Sequence, residues 1–129
     1  MANTNSPRAS RSGTTAGMRE SIKKAVTEMM VLFLLRQKPM YTYEMSQELT
    51  RLTDGVYTFN TLYLAIYRLQ EHGYITEAGK QEAGNRLRVY FKLTDAGQRY
   101  LDELLPTYRE MIGALDSLLA QDGKLYKEE

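Results

Sequence analysis

Two groups of side chains in this sequence carry hydrogen-bonding or charge chemistry at a readable spacing. Thr58, Asn60, Thr61, Tyr63, Tyr67 and Arg68 fall within one short stretch. Arg86, Arg88 and Lys92 alternate with apolar residues further on, and Lys80 precedes them. Amides and hydroxyls can read the edges of bases, and tyrosine or basic side chains can hold phosphate oxygens. Catalysis has far less to work with. The chain has no Cys and its single His is His72. That excludes a thiolate nucleophile, a disulfide framework and Cys-ligated metal, and any Ser-His-Asp triad would need His72. No phosphate-cradling glycine loop and no metal-ligand spacing stands out. The inventory points to binding rather than to an enzyme, with no cofactor and no metal. His72 suits a helix-end residue interacting with the helix dipole.

The elements that must position these groups fit in one domain with an appended helix, since the chain has 129 residues. The net charge is +1 but unevenly spread. Residues 1–17 carry +2, residues 18–94 carry +3 and residues 95–129 carry −4. A basic middle suits an anionic partner, and an acidic end suits protein or solvent. The longest uncharged apolar run, Met29 to Leu35, is far short of the roughly 20 residues of a membrane span. No secretory signal is present at the N-terminus, and the lack of Cys fits a reducing cytoplasm. Residues 1–17, with Arg8 and Arg11, have the Ser/Thr/Gly/Asn-rich composition of a flexible tail.

Periodicity predicts four helices and a hairpin. Met18 to Gln37 carries apolar residues at Met18, Ile22, Ala25, Val26, Met29, Met30 and Phe33, and becomes apolar all round at Met29 to Leu35. Lys38-Pro39 stops it. Tyr43 to Thr53 follows, with Thr42 as N-cap, Glu44 in the first turn and an apolar face of Met45, Leu49 and Leu52. Asp54-Gly55 ends it. Thr58 to His72 makes a third helix, with Thr58 as N-cap, Leu62, Ala65, Ile66 and Leu69 inward, and Gly73 in the C′ position. The period then changes. Leu87, Val89, Phe91 and Leu93 alternate with Arg86, Arg88, Tyr90 and Lys92, a strand with an apolar and a basic face. Tyr74 to Ala78 is its partner, and residues 79–85 form the tip. From Asp95 to about Ala120 a last helix runs through Pro106. It carries three heptad-spaced rows: Leu101, Tyr108, Leu115; Leu104, Met111, Leu118; and Leu105, Ile112, Leu119.

The order is that of a mostly α winged helix-turn-helix: three helices, a two-stranded wing, and a C-terminal dimerisation helix. The boundaries are a tail over 1–17, a DNA-binding domain over 18–94, a dimerisation helix over 95–121 and a tail over 122–129. In such folds the third helix enters the major groove with its N-terminal residues near the bases, and the wing meets phosphates.

At this point the sequence resembles a family. The stretch T-L-Y-L-A-I-Y-R-L-Q-E-H-G-Y-I from Thr61 to Ile75 is similar to the T-L-Y-P-A-L-x-R-L-E-x-x-G-L-I pattern of PadR-type transcriptional regulators. Tyr41-Thr42-Tyr43-Glu44 resembles the family's Y-G-Y-E, and Tyr90-Phe91-Lys92-Leu93-Thr94-Asp95-Ala96-Gly97 its Y-Y-x-L-T-x-x-G. The departures are Leu64 for Pro, Thr42 for Gly, Gln70 for Glu and Asn60 for Gly. Asn60 puts a base-reading amide where the family often has none. The resemblance implies a homodimeric repressor on a pseudo-palindromic double-stranded DNA site, relieved by a small apolar or aromatic effector. Tyr41, Thr58, Asn60, Thr61, Tyr63, Tyr67, Arg68, Lys80, Arg86, Arg88 and Lys92 would meet DNA. The three heptad rows would form the dimer interface. The chain has no Trp, so an aromatic clamp at the dimer centre would use Tyr108 or Phe33. The alternative is a winged-helix adaptor that binds protein through Phe59 and Leu64, without DNA.

Overall fold

A computed structural model describes residues 12–126. The elements run α1 (Thr15–Gln37), β1 (Met40–Tyr41), α2 (Thr42–Leu52), α3 (Tyr63–Glu71), β2 (Ile75–Ala83), β3 (Arg86–Leu93) and α4 (Asp95–Leu119). The strands form one antiparallel sheet in the order β1-β3-β2. No helix among the described residues is long and apolar enough to cross a membrane. The architecture is the expected winged helix-turn-helix, mostly α, with a C-terminal helix and one strand more than its wing requires.

The core forms where the apolar half of α1 meets everything else. Val31, Leu32, Leu34 and Leu35 are buried together with Met45 and Leu49 of α2, Leu62, Ile66 and Leu69 at α3, Ile75 and Phe91 of the sheet, and Leu101 of α4. Phe33 is the exception in that run and stays exposed. Exposure also takes Leu52, at the last turn of α2, and Leu87, out towards the wing tip, away from their expected inward places.

Several boundaries differ from the sequence reading. α1 begins at Thr15 rather than Met18, because the Thr14 hydroxyl accepts from the Gly17 N–H at 3.0 Å and caps it. Residues 1–11 of the predicted tail, with Arg8 and Arg11, lie outside the described residues. α2 starts at Thr42 itself, after Tyr41, with no side-chain cap. Its end is a Schellman turn with Asp54 in the left-handed region and the Gly55 N–H donating to the Thr50 carbonyl at 2.8 Å.

The largest difference is at α3, which starts at Tyr63 and not at Thr58. The N-cap position is Leu62, which offers no side-chain cap, and one residue earlier the Thr61 hydroxyl accepts from the Tyr63 N–H at 3.2 Å. Thr58 to Leu62 approach the helix without being part of it. The wing also differs. β2 continues through residues 79–83, leaving only Gly84-Asn85 as the turn between the paired Ala83 and Arg86. Gly84 has a φ of 64°, which suits the first position of a two-residue hairpin loop. Pairing slips between Glu77 and Gly79, so Ala78 is the extra residue of a bulge. A predicted tip of seven residues fails because polar, glycine-bearing sequence at the edge of a sheet still pairs when its partner strand is strongly β-forming.

The junction between α3, β2 and α4 explains why two of the family-like motifs occur together. Gly73, with a φ of 76°, closes α3 in a Schellman turn: its N–H meets the Gln70 carbonyl, and that of Tyr74 meets the Leu69 carbonyl, both at 2.9 Å. The Gly73 carbonyl then accepts from the Thr94 hydroxyl at 2.6 Å, and the same oxygen of Thr94 accepts from the Gly97 N–H at 3.0 Å. Tyr74 stacks on Tyr100 with ring centroids 4.4 Å apart, and burial pushes the Tyr100 phenol above its ordinary pKa. The T-x-x-G motif thus seats α4 on the turn after α3. Thr94→Ala removes a helix cap and a cross-element bond together. It is expected to cost about 1–2 kcal/mol, read as a lower urea midpoint, while Thr94→Ser should keep most of the stability.

α4 is continuous through Pro106. Its first turns belong to the core, so the chain has no break at residue 94. Leu101, assigned to the dimer surface by its heptad position, is instead fully buried inside the protomer. The geometric reason is proximity: at that point α4 still packs on α1, and Arg36 of α1 pairs with Asp102 at 3.1 Å. Leu104 and Leu105 are half-buried against the same core. Beyond them Tyr108, Met111, Ile112, Leu115, Leu118 and Leu119 are all exposed.

Candidate nucleic-acid interface

α3 presents a two-sided surface. With Ala65, Ile66 and Leu69 buried, the helical period turns Tyr63 and Tyr67 to one flank and Leu64 and Arg68 to the other. All four are exposed, and Tyr63 is 74% accessible. Thr58, Asn60 and Thr61, exposed as well, stand just ahead of the helix. An open groove of about 750 Å³ lies between the N-terminal half of α1 and this region, with Lys23, Lys24, Thr61, Leu64 and Arg68 among its walls. Phe59, proposed as half of an exposed protein-docking patch, is half-buried and packs against the core, and Lys23 sits over its ring at 5.2 Å. Leu64 alone of that pair remains exposed.

The wing supplies the second group. Arg86, Arg88, Tyr90 and Lys92 share the outer face of β3, since the alternate residues Val89 and Phe91 turn towards the core. Cross-strand pairing adds Gln81 opposite Arg88 and Tyr41 opposite Tyr90. The Tyr41 and Tyr90 rings meet edge to face at 5.3 Å, the Arg88 guanidinium lies 4.5 Å over the Tyr41 ring, and the Tyr90 hydroxyl donates to Gln81 at 3.1 Å. Arg88 is therefore held in one place by an aromatic base. Tyr41, expected at the DNA, is half-buried and acts in the protomer as the support for Arg88. Lys80 does not join the group. It pairs with Val89, which puts it on the opposite face of the wing, in mid-strand rather than near the tip.

The charge state of this surface is set by what its cations lack. Among the described residues the ion pairs are Lys23–Glu20, Arg36–Asp102, Lys38–Glu44 and Arg51–Glu48. Arg68, Lys80, Arg86, Arg88 and Lys92 have no carboxylate partner there, so their charge is available to an outside anion. Glu44 and Glu48 are accounted for. A hydrogen bond from Lys38 occupies Glu44 and holds the lysine above its ordinary pKa, and Arg51 holds the Glu48 carboxyl below the usual range.

Residues 31–103, more than half of the chain, match the model of the transcriptional regulator PadR-like family. The chain belongs to that family. The matched span holds α2, α3, the wing and the first turns of α4. Among solved structures, a transcriptional regulator from Clostridium thermocellum is 25% identical with a TM-score of 0.69, covering 75% of this chain and 96% of its own. A PadR family regulator from Eggerthella lenta is 27% identical with a TM-score of 0.68, covering 81% and 91%. An uncharacterized protein of Lysinibacillus sphaericus is 28% identical over an alignment 108 positions long that covers 77% of this chain and 93% of that protein. As a PadR-like chain the protein is a transcriptional regulator. The residue that the sequence reading missed is Lys23. Its contacts to Thr58 and Phe59 join segments 35 positions apart, and no periodic signal reports such a pair.

Proposed function

We propose that the protein is a homodimeric, sequence-specific DNA-binding repressor. The observation that carries the reading is the set of unpaired cations on α3 and the wing, Arg68, Arg86, Arg88 and Lys92, accompanied by the exposed Asn60, Thr61, Tyr63 and Tyr67. Amide and hydroxyl groups at the start of a helix suit base edges in the major groove, and a fixed guanidinium suits phosphate. Each subunit would bring one α3 to one half of a pseudo-palindromic site, with half-site centres roughly 34–36 Å apart or a multiple of that. The exposed apolar side of α4, from Tyr108 to Leu119, supports the dimer. Leu104 and Leu105 border it, and Leu101 is withdrawn from it.

Relief by an effector has a place to occur. A groove of about 550 Å³ between α1 and α4 is lined by Ile22, Val26, Met29, Tyr108, Ile112 and Leu115 among others. That lining suits a small apolar or aromatic molecule, and of the two aromatic residues expected for a clamp it includes Tyr108 and not Phe33. An effector there shifts the equilibrium only by its differential affinity for two arrangements of the reading heads.

The test is a gel shift on the DNA upstream of the protein's own gene at two salt concentrations. A specific band that weakens steeply with salt is expected. Arg88→Ala should weaken it about tenfold and lower the salt slope by about one. No band at low salt would overturn the DNA reading and turn attention to protein partners at Leu64.

A further inference from the structure

The segment that carries Asn60 and Thr61 has almost no hydrogen bonding of its own. Among the described residues no backbone N–H from Thr58 to Thr61 donates to another backbone group. At one end the Tyr57 N–H is held by the Thr53 hydroxyl at 3.0 Å, and at the other the Thr61 hydroxyl holds the Tyr63 N–H. Between these points two things fix it. Phe59 is set against the core. Lys23 of α1 donates from Nζ to the Thr58 carbonyl at 2.8 Å and lies 5.2 Å from the Phe59 ring centroid. Glu20, one turn earlier on α1, holds the same ammonium at 3.6 Å. The Lys23 side chain is about three-quarters covered, at 26% exposure. An extended lysine with its charge committed to a carbonyl, a ring face and a carboxylate is a strut, not a free surface cation.

We propose that Lys23 is a positioning residue: it fixes the path of residues 58–61 and so decides which base edges Asn60 and Thr61 can reach. This rests on the DNA reading of that segment. Lys23 acts on specificity through the backbone of Thr58, without needing to touch DNA. Asn60 lies two residues from the held carbonyl, and its amide must be placed to well within hydrogen-bond tolerance to discriminate between bases. A free segment samples several placements and averages that discrimination away. The chemistry Lys23 supplies is a charge-assisted hydrogen bond and a cation over an aromatic face. Arginine can provide both, and methionine can fill the same volume while providing neither.

Lys23→Met and Lys23→Arg in the full chain separate the roles. In the free protein, 15N relaxation should show order parameters at residues 58–61 falling from the rigid range near 0.85 to below about 0.6 in Lys23→Met, with α1 unchanged. Lys23→Arg should stay close to wild type. Selection of bound sequences from randomised DNA should then show Lys23→Met losing about tenfold of its preference at the base pairs nearest Asn60, with an unchanged salt slope, and Lys23→Arg restoring it. Unchanged order parameters in Lys23→Met overturn the strut. A salt slope lower by about one with sequence preference intact makes Lys23 a phosphate contact, and overturns the proposal too. A wild type that enriches no sequence overturns the DNA reading and the specificity role with it, while the relaxation data still decide whether Lys23 holds the segment.

Discussion

Gly97→Ala loses much of its folded stability, although alanine is the better helix former. Gly97 sits in the first turn of α4, where exchanging glycine for alanine ordinarily gains up to about 1 kcal/mol. Here a Cβ would overlap the Tyr74 carbonyl oxygen and come within 2.9 Å of Leu93 Cδ1. The leucine tip can turn away, but the carbonyl cannot. It accepts from the Thr94 N–H at 3.1 Å, and the peptide around it is locked by the Schellman turn at Gly73. Relief would mean lifting α4 off the α3–β2 junction, which separates Tyr100 from Tyr74. We expect a loss of about 3 kcal/mol, the upper part of the usual range for overpacking. That is a large fraction of a total stability of roughly 5–15 kcal/mol, and it should lower the melting temperature by about 10 °C. Gly113→Ala is the matched control. It lies in the same helix, where an added methyl would meet nothing within 4 Å, and should leave the melting temperature unchanged or raise it. Equal behaviour of the two variants in thermal unfolding followed by circular dichroism would sink the account.

Leu115→Asp should give a folded monomer. Leu115 is half-exposed in the protomer, at 50%, among Met111, Leu118 and Leu119, which are more exposed still. Leu115 lies outside the buried core cluster, so helix content should be preserved. In a two-fold dimer the change enters twice. Each leucine removed from a buried seam forfeits about 2 kcal/mol, and each carboxylate placed there adds a desolvation penalty. A combined loss of at least about 4 kcal/mol corresponds to roughly a thousandfold weaker association. Light scattering should report half the mass of the wild type at micromolar concentration. Binding to a two-half-site DNA should fall with it, because each head then binds alone. An unchanged mass would remove the α4 seam from the proposed assembly. The α1–α4 groove makes the same experiment informative about effectors, since Leu115 lines that groove as well.

How far the fold could be read from the residues depended on the range of the forces involved. The four helices and the alternating strand at Arg86–Leu93 were legible because burial imposes periods of 3.6 and 2 on local sequence. The α3 start was not. Thr58 is a good N-cap by composition, but Lys23, far away in sequence, takes its carbonyl, and the helix starts later, with Leu62 at the N-cap position. β1 was invisible for a similar reason. Two residues carry no period, and Met40 and Tyr41 become a strand only because Phe91 and Tyr90 lie beside them. In the candidate site, the cations and the amide could be named from their types. Whether each stood free or served another could not. Tyr41 turned out to carry Arg88, Lys80 to face the other way because a single extra residue at Ala78 reverses the alternation, and Leu101 to belong to the core because the first turns of α4 pack on α1. The motifs T-x-x-G and R-L-x-x-x-G, read as separate fragments, are two halves of one joint.

The irregularity at Ala78 reaches beyond the aim of Lys80. β2 is the longer of the two outer strands of the sheet, at nine residues. A straight strand of that length offers a row of open backbone groups on which another molecule can build. In this chain the row is broken by the extra residue, Gly79 turns the backbone to a φ of 150° beside it, and a lysine follows at once. Those features make the rim a poor template, so neighbouring molecules have little means of joining sheet to sheet along β2.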